Sequence, residues 1–262
     1  MKCRNCNSPL DSTVNYCSVC GAKVIKRRLS LKNIWNDINA QFFNLDNKLF
    51  KTFGHLFVKP ELVINGFISG TRKRYIGVIQ YFAIALTLVG LQVFLMNLFF
   101  ADNINADSSF FDGLNKARIN EDNPFKHITA NEFNKYLSVF YTLSIPISAI
   151  ATWAGYTSAG NRLFNFTEHI VLNLYYSAET IIISAVVTII LLCFGLDYML
   201  LSLLTGGFTL FYFLYVLKRV FDTTWLQTCA YFLLTMIAFG VIFIIMLLVL
   251  FILGFVYGYV FK

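Results

Sequence analysis

Five stretches of the chain are apolar enough and long enough to cross a bilayer. The first, Tyr75 to Phe100, runs 26 residues without a charge. The second covers 136–157 and contains Pro146, which predicts a kink. The third covers 169–194 and the fourth 198–217. The last apolar stretch, Thr223 to Phe261, has 39 residues without Asp, Glu, Lys, Arg or His. At roughly 1.5 Å per residue it exceeds a hydrocarbon core of about 30 Å. A single tilted helix is expected there, crossing near 226–257 and flexed at Gly240 and Gly254. A re-entrant hairpin is the alternative, although no Pro or Asn marks a turn.

The segments before and between these runs are polar. Ser30 can cap a helix over 31–43, where Leu31, Ile34, Trp35, Ile38 and Phe42 recur at helical spacing. A second helix is expected over 45–58, with Leu49, Phe53, Leu56 and Phe57 on one side. Pro60 can open a third, with Glu61 in its first turn, running towards Gly70. All three are too short to span, so they read as amphipathic interfacial helices or as helices packed on the bundle. The loop 101–135 holds six acids and four bases, and Phe110, Phe111 and Phe125 can pack it onto the outer face. The expected fold is an all-α polytopic membrane protein: a five-helix transmembrane bundle, interfacial amphipathic helices and a small N-terminal zinc ribbon. Its parts are a ribbon at 1–22, a basic linker with helices at 23–74, and the bundle at 75–262.

Composition narrows the class. Hydrophobic types make up 57% and charged types 13%, against roughly a quarter charged in soluble domains. That excludes an ordinary soluble enzyme, and so little charge excludes a disordered chain. The net +7 is uneven: residues 1–74 hold 13 of the 21 Lys and Arg but four of the 14 acids. Apart from the four bases of the loop 101–135 and the final Lys262, later bases fall at Arg162 and at Lys218–Arg219, while Asp197 follows the third span. Placing the basic segments inside puts the N-terminus in the cytoplasm and the C-terminus outside. The polar, Cys-rich start is no secretory signal, so the first span acts as its own anchor. Richness in Phe, Asn, Ile and Tyr suggests an AT-rich bacterial genome and hence the bacterial inner membrane. The expected surroundings are the lipid bilayer, with anionic lipids against the cytoplasmic bases.

Four of the six cysteines lie in two C-x-x-C pairs, Cys3 with Cys6 and Cys17 with Cys20. Each pair suits a tight knuckle, and two knuckles supply four thiolates for tetrahedral Zn²⁺ at roughly 2.3 Å. A ribbon this short cannot fold on buried apolar surface alone. Metal binding must supply folding free energy on the order of 10 kcal/mol. Disulfides are disfavoured in a reducing cytoplasm, and no βαβ pattern supports a redox C-x-x-C. Four ligands leave no open position, so the zinc is expected to be structural. Cys193 and Cys229 read as small apolar residues in the membrane core. Nucleic acid is the weaker partner for the basic stretch, because its aromatics lie on helical faces and form no stacking platform.

The stretch NLDNKLFKTFGHLFVKPELVINGFISGTRKRYIG, residues 44–77, resembles the bacterial domain of unknown function 3667 family. Members carry a Cys pair, a second Cys pair followed by Gly, an Asp and a Thr, a Pro, a Gly-Lys-Arg-like element and a first span. The matching positions are Asp46, Thr52, Pro60 and Gly70 to Arg74, the last with one residue more than the pattern. The resemblance implies a zinc ribbon with a multi-pass region and no established activity. Read by themselves, Asp46 sits where a carboxylate complements a helix start. Thr52 can hydrogen-bond back along its helix.

The third span carries Glu179, an acid well inside an apolar run. On a helical wheel Glu168, His169, Asn173, Tyr176, Glu179 and Thr180 fall within about 140°. This polar stripe is expected to face the bundle, because charge in hydrocarbon costs several kcal/mol. It holds helices together or lines a pathway. No H-E-x-x-H, G-x-S-x-G or P-loop motif is present. His55 and His127 fall on opposite predicted sides, so an enzyme is not expected. Two functions stay open. One is a non-enzymatic scaffold or adaptor whose ribbon binds a cytosolic protein. The other is a transporter or channel using the stripe. A homo-oligomer is compatible with either.

Overall fold

The computed structural model describes residues 2–11, 13–22, 24, 48–100, 136–196 and 198–260. The expected helix over 31–43, Asp46, His127, Asp197 and the loop 101–135 lie outside the described residues. The chain forms two compact units, Met1–Asn47 and Lys48–Lys262. Among the described residues the second unit is all helical, with seven helices. They are α1 (48–58), α2 (Pro60–Ile68), α3 (Val78–Phe99), α4 (Leu137–Ser158), α5 (Phe166–Cys193), α6 (Tyr198–Phe221) and α7 (Trp225–Val260). Five of them, α3 to α7, are long and apolar enough to cross a membrane. The protein is a multi-pass membrane protein by that measure, and its last apolar stretch is one helix.

The short helices follow local rules. Pro60 sits at the start of α2, where its missing N–H costs nothing, and Glu61 occupies the first turn. Gly70 ends the run at φ +102°, a conformation that favours glycine. Neither α1 nor α2 forms a separate linker. Leu56, Val63 and Ile64 are fully buried and belong to the same core as Tyr81, Leu172 and Leu217 of the spans. The second unit therefore begins at 48 and not at the first span.

Packing between the long helices combines large apolar and aromatic residues with small and polar ones. Along α3, Tyr81, Ala85, Val89 and Met96 are buried at spacings of four and seven, one face of the helix. Ala151 and Gly155 of α4 form a small-x-x-x-small step, and Gly155 lies directly against Thr235 of α7. Pro146 lies inside α4, and the helix continues through it. Three residues earlier than the apolar run suggests, α5 opens on a capping box: Asn165 Oδ1 accepts from Glu168 N at 3.0 Å, and Asn165 N donates to Glu168 Oε2 at 2.7 Å. Four residues longer than read from sequence, α6 carries Lys218 and Arg219 in its last turn, where cations complement the helix dipole.

The turn between α4 and α5 meets the start of α7 and the end of α6 in an aromatic cluster. Tyr156 stacks on Phe221 at 4.0 Å between centroids, with Phe164 and Tyr231 each at 4.8 Å from one of that pair. Cys193 and Cys229 face outward, exposed on the bundle surface. The described Lys and Arg of this unit (Lys48, Lys51, Lys59, Arg72, Lys73, Arg74, Arg162, Lys218 and Arg219) all fall at one end of the bundle. That end holds the start of α3, the α4–α5 turn and the α6–α7 turn.

Candidate functional site

The N-terminal unit brings the four predicted cysteines together by repeating one backbone motif. In the first knuckle Cys3 N donates to Ser8 O and Asn7 N donates to Cys3 O, both at 2.9 Å. In the second, Cys17 N donates to Ala22 O and Gly21 N donates to Cys17 O, again at 2.9 Å. The residue after each second cysteine takes a left-handed turn, Asn7 at φ 58° and Gly21 at φ 70°. Asn and Gly are the types that tolerate it. Lys2 and Pro9 form an antiparallel bridge that closes the first loop.

The sulfurs converge. Cys3 and Cys20 Sγ lie 3.6 Å apart, as do Cys6 and Cys17 Sγ, and all four ligand atoms fall within 4.8 Å of one another. A tetrahedron on metal–sulfur bonds of roughly 2.3 Å has edges of about 3.8 Å. The four thiols can therefore hold a metal ion with little adjustment. All are free cysteines.

Ser8 is a residue that sequence reading passed over. Its Oγ lies 3.0 Å from Cys6 Sγ and 3.3 Å from Cys17 Sγ. Hydrogen bonding from Ser8, then from the Cys20 backbone N–H, holds the Cys17 thiol down at about 6. Ser8 also leads the causes that lower Cys6. Metal binding requires thiolates, so this shell favours loading at neutral pH. Ser8→Ala is expected to weaken metal affinity by about 10–100-fold, the range for lost outer-shell partners. Competition with a chromophoric chelator measures it.

Of the family-motif positions, the described Thr52 and Pro60 lie where the chain enters the first span. Thr52 is fully buried. Its Oγ1 donates to Lys48 O at 2.6 Å and accepts from Ile76 N at 3.1 Å. Tyr175 of α5 donates to Ile76 O at 2.8 Å. Ile76 is non-helical and buried, so both its peptide groups need side-chain partners in a dry setting. Thr52→Val, nearly isosteric, leaves the Ile76 N–H unpaired and is expected to cost about 1–3 kcal/mol. Thermal unfolding in detergent reads that loss. Pro60 is buried at the head of α2. Nearby, Glu61 pairs with Arg219 of α6 through both carboxylate oxygens, and Asn65 Nδ2 donates to Val220 O at 3.0 Å. Tyr212 OH donates to Leu56 O at 2.9 Å.

The expected polar stripe on α5 does not act as one surface. Glu168 is spent on the capping box. Glu179 faces α3: its Oε2 accepts from Tyr81 OH at 2.5 Å, and its Oε1 has no partner. His169 and Asn173 face α4, where Thr152 Oγ1 lies 3.1 Å from His169 Nδ1 and accepts from Asn173 Nδ2 at 3.0 Å. Thr152 Oγ1 also lies 3.1 Å from Ala149 O of its own helix. Tyr176 OH donates to Thr209 O of α6 at 2.9 Å. Asn173, Tyr176 and Thr180 line a cleft of about 360 Å³ between α4, α5, α6 and α7, and Glu179 does not. Sequence reading passed over Thr152 and Tyr81, which divide the stripe; the signal for Thr152 was there, since Ser144, Ser148 and Thr152 recur every four residues on one face.

Residues 46–90 match the model of a protein family of unknown function, DUF3667, in agreement with the resemblance read from 44–77. The described part of that match is α1, α2, the Ile76 segment and the first half of α3. The four cysteines lie before it. No curated protein and no solved structure matches the chain.

Proposed function

We propose that this is a non-enzymatic scaffold or adaptor of the bacterial inner membrane, whose zinc-bound N-terminal ribbon binds a cytosolic protein. The observation that carries it is the paired knuckle: two identical turns aim four sulfurs at one point and leave no position for substrate. Zinc is the structural ion such a closed four-thiolate set takes. The small head then offers its outer side chains for recognition, and Tyr16 and Val19 beside the second knuckle are 62% and 73% exposed.

Orientation is argued from charge. The clustering of described bases at one end supports a cytoplasmic placement of that end. No apolar run long enough to cross lies between Ala22 and Val78. A cytoplasmic ribbon would keep its thiols reduced. Lys48, Lys51 and Lys59 beside exposed Phe50, Phe57 and Val58 suit an anionic leaflet, at about 1 kcal/mol per base near the surface. A transport route along α5 draws less support, because Glu179 and the cleft lie on different interfaces of that helix.

Proximity labelling from the N-terminus in cells tests the reading. Val19→Asp is expected to keep its metal and lose the labelled cytosolic partner, while Glu179→Gln keeps both. Unchanged labelling in Val19→Asp, or loss in Glu179→Gln alone, would overturn it.

A further inference from the structure

The cleft between α4, α5, α6 and α7 has a chemistry that the adaptor reading does not use. It lies deep in the spans, and its mouth carries Leu210 of α6 and Phe239 of α7, which are 53% and 38% exposed on the lipid side. No Asp, Glu, Lys, Arg or His lines it. Hydroxyls line it among apolar side chains, and several have their protons committed to their own helices. Ser148 donates to Ile145 O at 3.0 Å, Thr180 to Ser177 O at 3.0 Å, Thr209 to Gly206 O at 2.7 Å and Thr235 to Tyr231 O at 2.9 Å. These four hydroxyls therefore present lone pairs.

Asn173 adds the decisive acceptor. It is 1% exposed. Its two N–H bonds go to Thr152 Oγ1 at 3.0 Å and His169 O at 2.8 Å. Its Oδ1 has no partner. The reversed amide would set its oxygen against the His169 carbonyl, so the orientation follows from the neighbours. A buried carbonyl left unpaired in hydrocarbon is destabilising. A donor arriving through the lateral mouth removes that cost.

We propose that this cleft binds a neutral lipid whose headgroup is a free hydroxyl, with the O–H donated to Asn173 Oδ1 and the chains leaving between Leu210 and Phe239. An anionic headgroup is refused because no Lys, Arg or His lies in the cleft to offset its dehydration. A cationic one is refused because no carboxylate lies in the cleft to offset its dehydration. The site does not depend on what the ribbon binds.

The test uses the full-length protein in nanodiscs with three bifunctional photoreactive probes: a diacylglycerol, the matching phosphatidic acid, and a long-chain ammonium amphiphile. The diacylglycerol is expected to label peptides of α4, α6 and α7 that line the cleft, and to do so about tenfold more than either charged probe. That factor is one well-made hydrogen bond in affinity. Ser148→Phe, which fills the space, is expected to abolish this labelling. Thr209→Val, which keeps shape and removes an acceptor, is expected to lower it several-fold. Asn173→Leu is expected to lower it about tenfold wherever the variant keeps the wild-type melting temperature. Equal labelling by the three probes, stronger labelling by a charged one, or labelling that survives Ser148→Phe would overturn the proposal. These outcomes are read separately from partner capture by the ribbon.

Discussion

Cys17→Ser is expected to empty the metal site and unfold the N-terminal head. Cys17 is buried beside Cys3, pairs closely with Cys6 and carries the hydrogen bond from Ser8. Its removal leaves three thiolates and a neutral hydroxyl. Residues 2–22 bury too little to fold without metal, so the loss is of the order of the metal's folding free energy, about 10 kcal/mol or more. Metal analysis of purified protein should fall from about one zinc per chain to near zero, and limited proteolysis should then cut within residues 2–22. Cys229→Ser, at an exposed thiol in α7, is the matched control and should retain its zinc. A wild-type preparation carrying no metal, or a Cys17→Ser protein that keeps it, would contradict the site. So would iron in place of zinc, for the ion identity alone.

The second large effect is expected at Gly155. A Cβ placed there would meet Thr235 Oγ1 at 2.7 Å, Thr235 N at 2.8 Å and Thr235 Cα at 2.9 Å. The hydroxyl can rotate away, but the two backbone atoms cannot. Any side chain must push α4 and α7 apart. Gly155→Ala is expected to cost about 1–3 kcal/mol by overpacking, and Gly155→Leu more. For a unit of this size that is a fall of several degrees in melting temperature, at about 2–4 °C per kcal/mol. Gly240 of α7 is the internal control, because a Cβ there meets nothing within 4 Å. Gly240→Ala should melt at or slightly above wild type, since alanine favours helix. Equal behaviour of the two variants would mean that α4 and α7 do not cross where the structure has them.

Both cases show what kind of information local sequence carries. The cysteine knuckles were legible because the chemistry is local: each C-x-x-C pair closes its own turn, and Asn7 and Gly21 are the residues such turns require. Gly155 was not legible. A glycine in an apolar run reads the same whether it touches another backbone or nothing, as Gly240 does. The start of α2 at Pro60 was legible for the same reason as the knuckles, whereas Thr52 was only half so. Its bond to Lys48 O lies within one turn, but its bond to Ile76 N spans 24 residues.

The polar face of α5 marks the limit more sharply. A helical wheel groups Glu168, His169, Asn173, Tyr176, Glu179 and Thr180, because periodicity records direction around one axis. It does not record how many neighbours share that arc. In the structure Thr152 of α4 takes one part, Tyr81 of α3 another, and Asn165 the end. The same blindness applies to α1 and α2, whose amphipathic pattern says which face is apolar and not whether lipid or protein covers it.

By itself the sequence determined the membrane class, the number of crossing helices, the four converging cysteines and the clustering of bases. Each of those follows from unbroken apolar length, from spacing within a turn, or from charge counted along the chain. The tertiary structure alone decided that α1 and α2 pack into the bundle, that Glu179 and Asn173 face different helices, and that a cleft holding the unpaired Asn173 carbonyl opens beside Leu210 and Phe239. Those depend on contacts between residues tens to hundreds of positions apart, which are set by how five greasy cylinders find their closest approach.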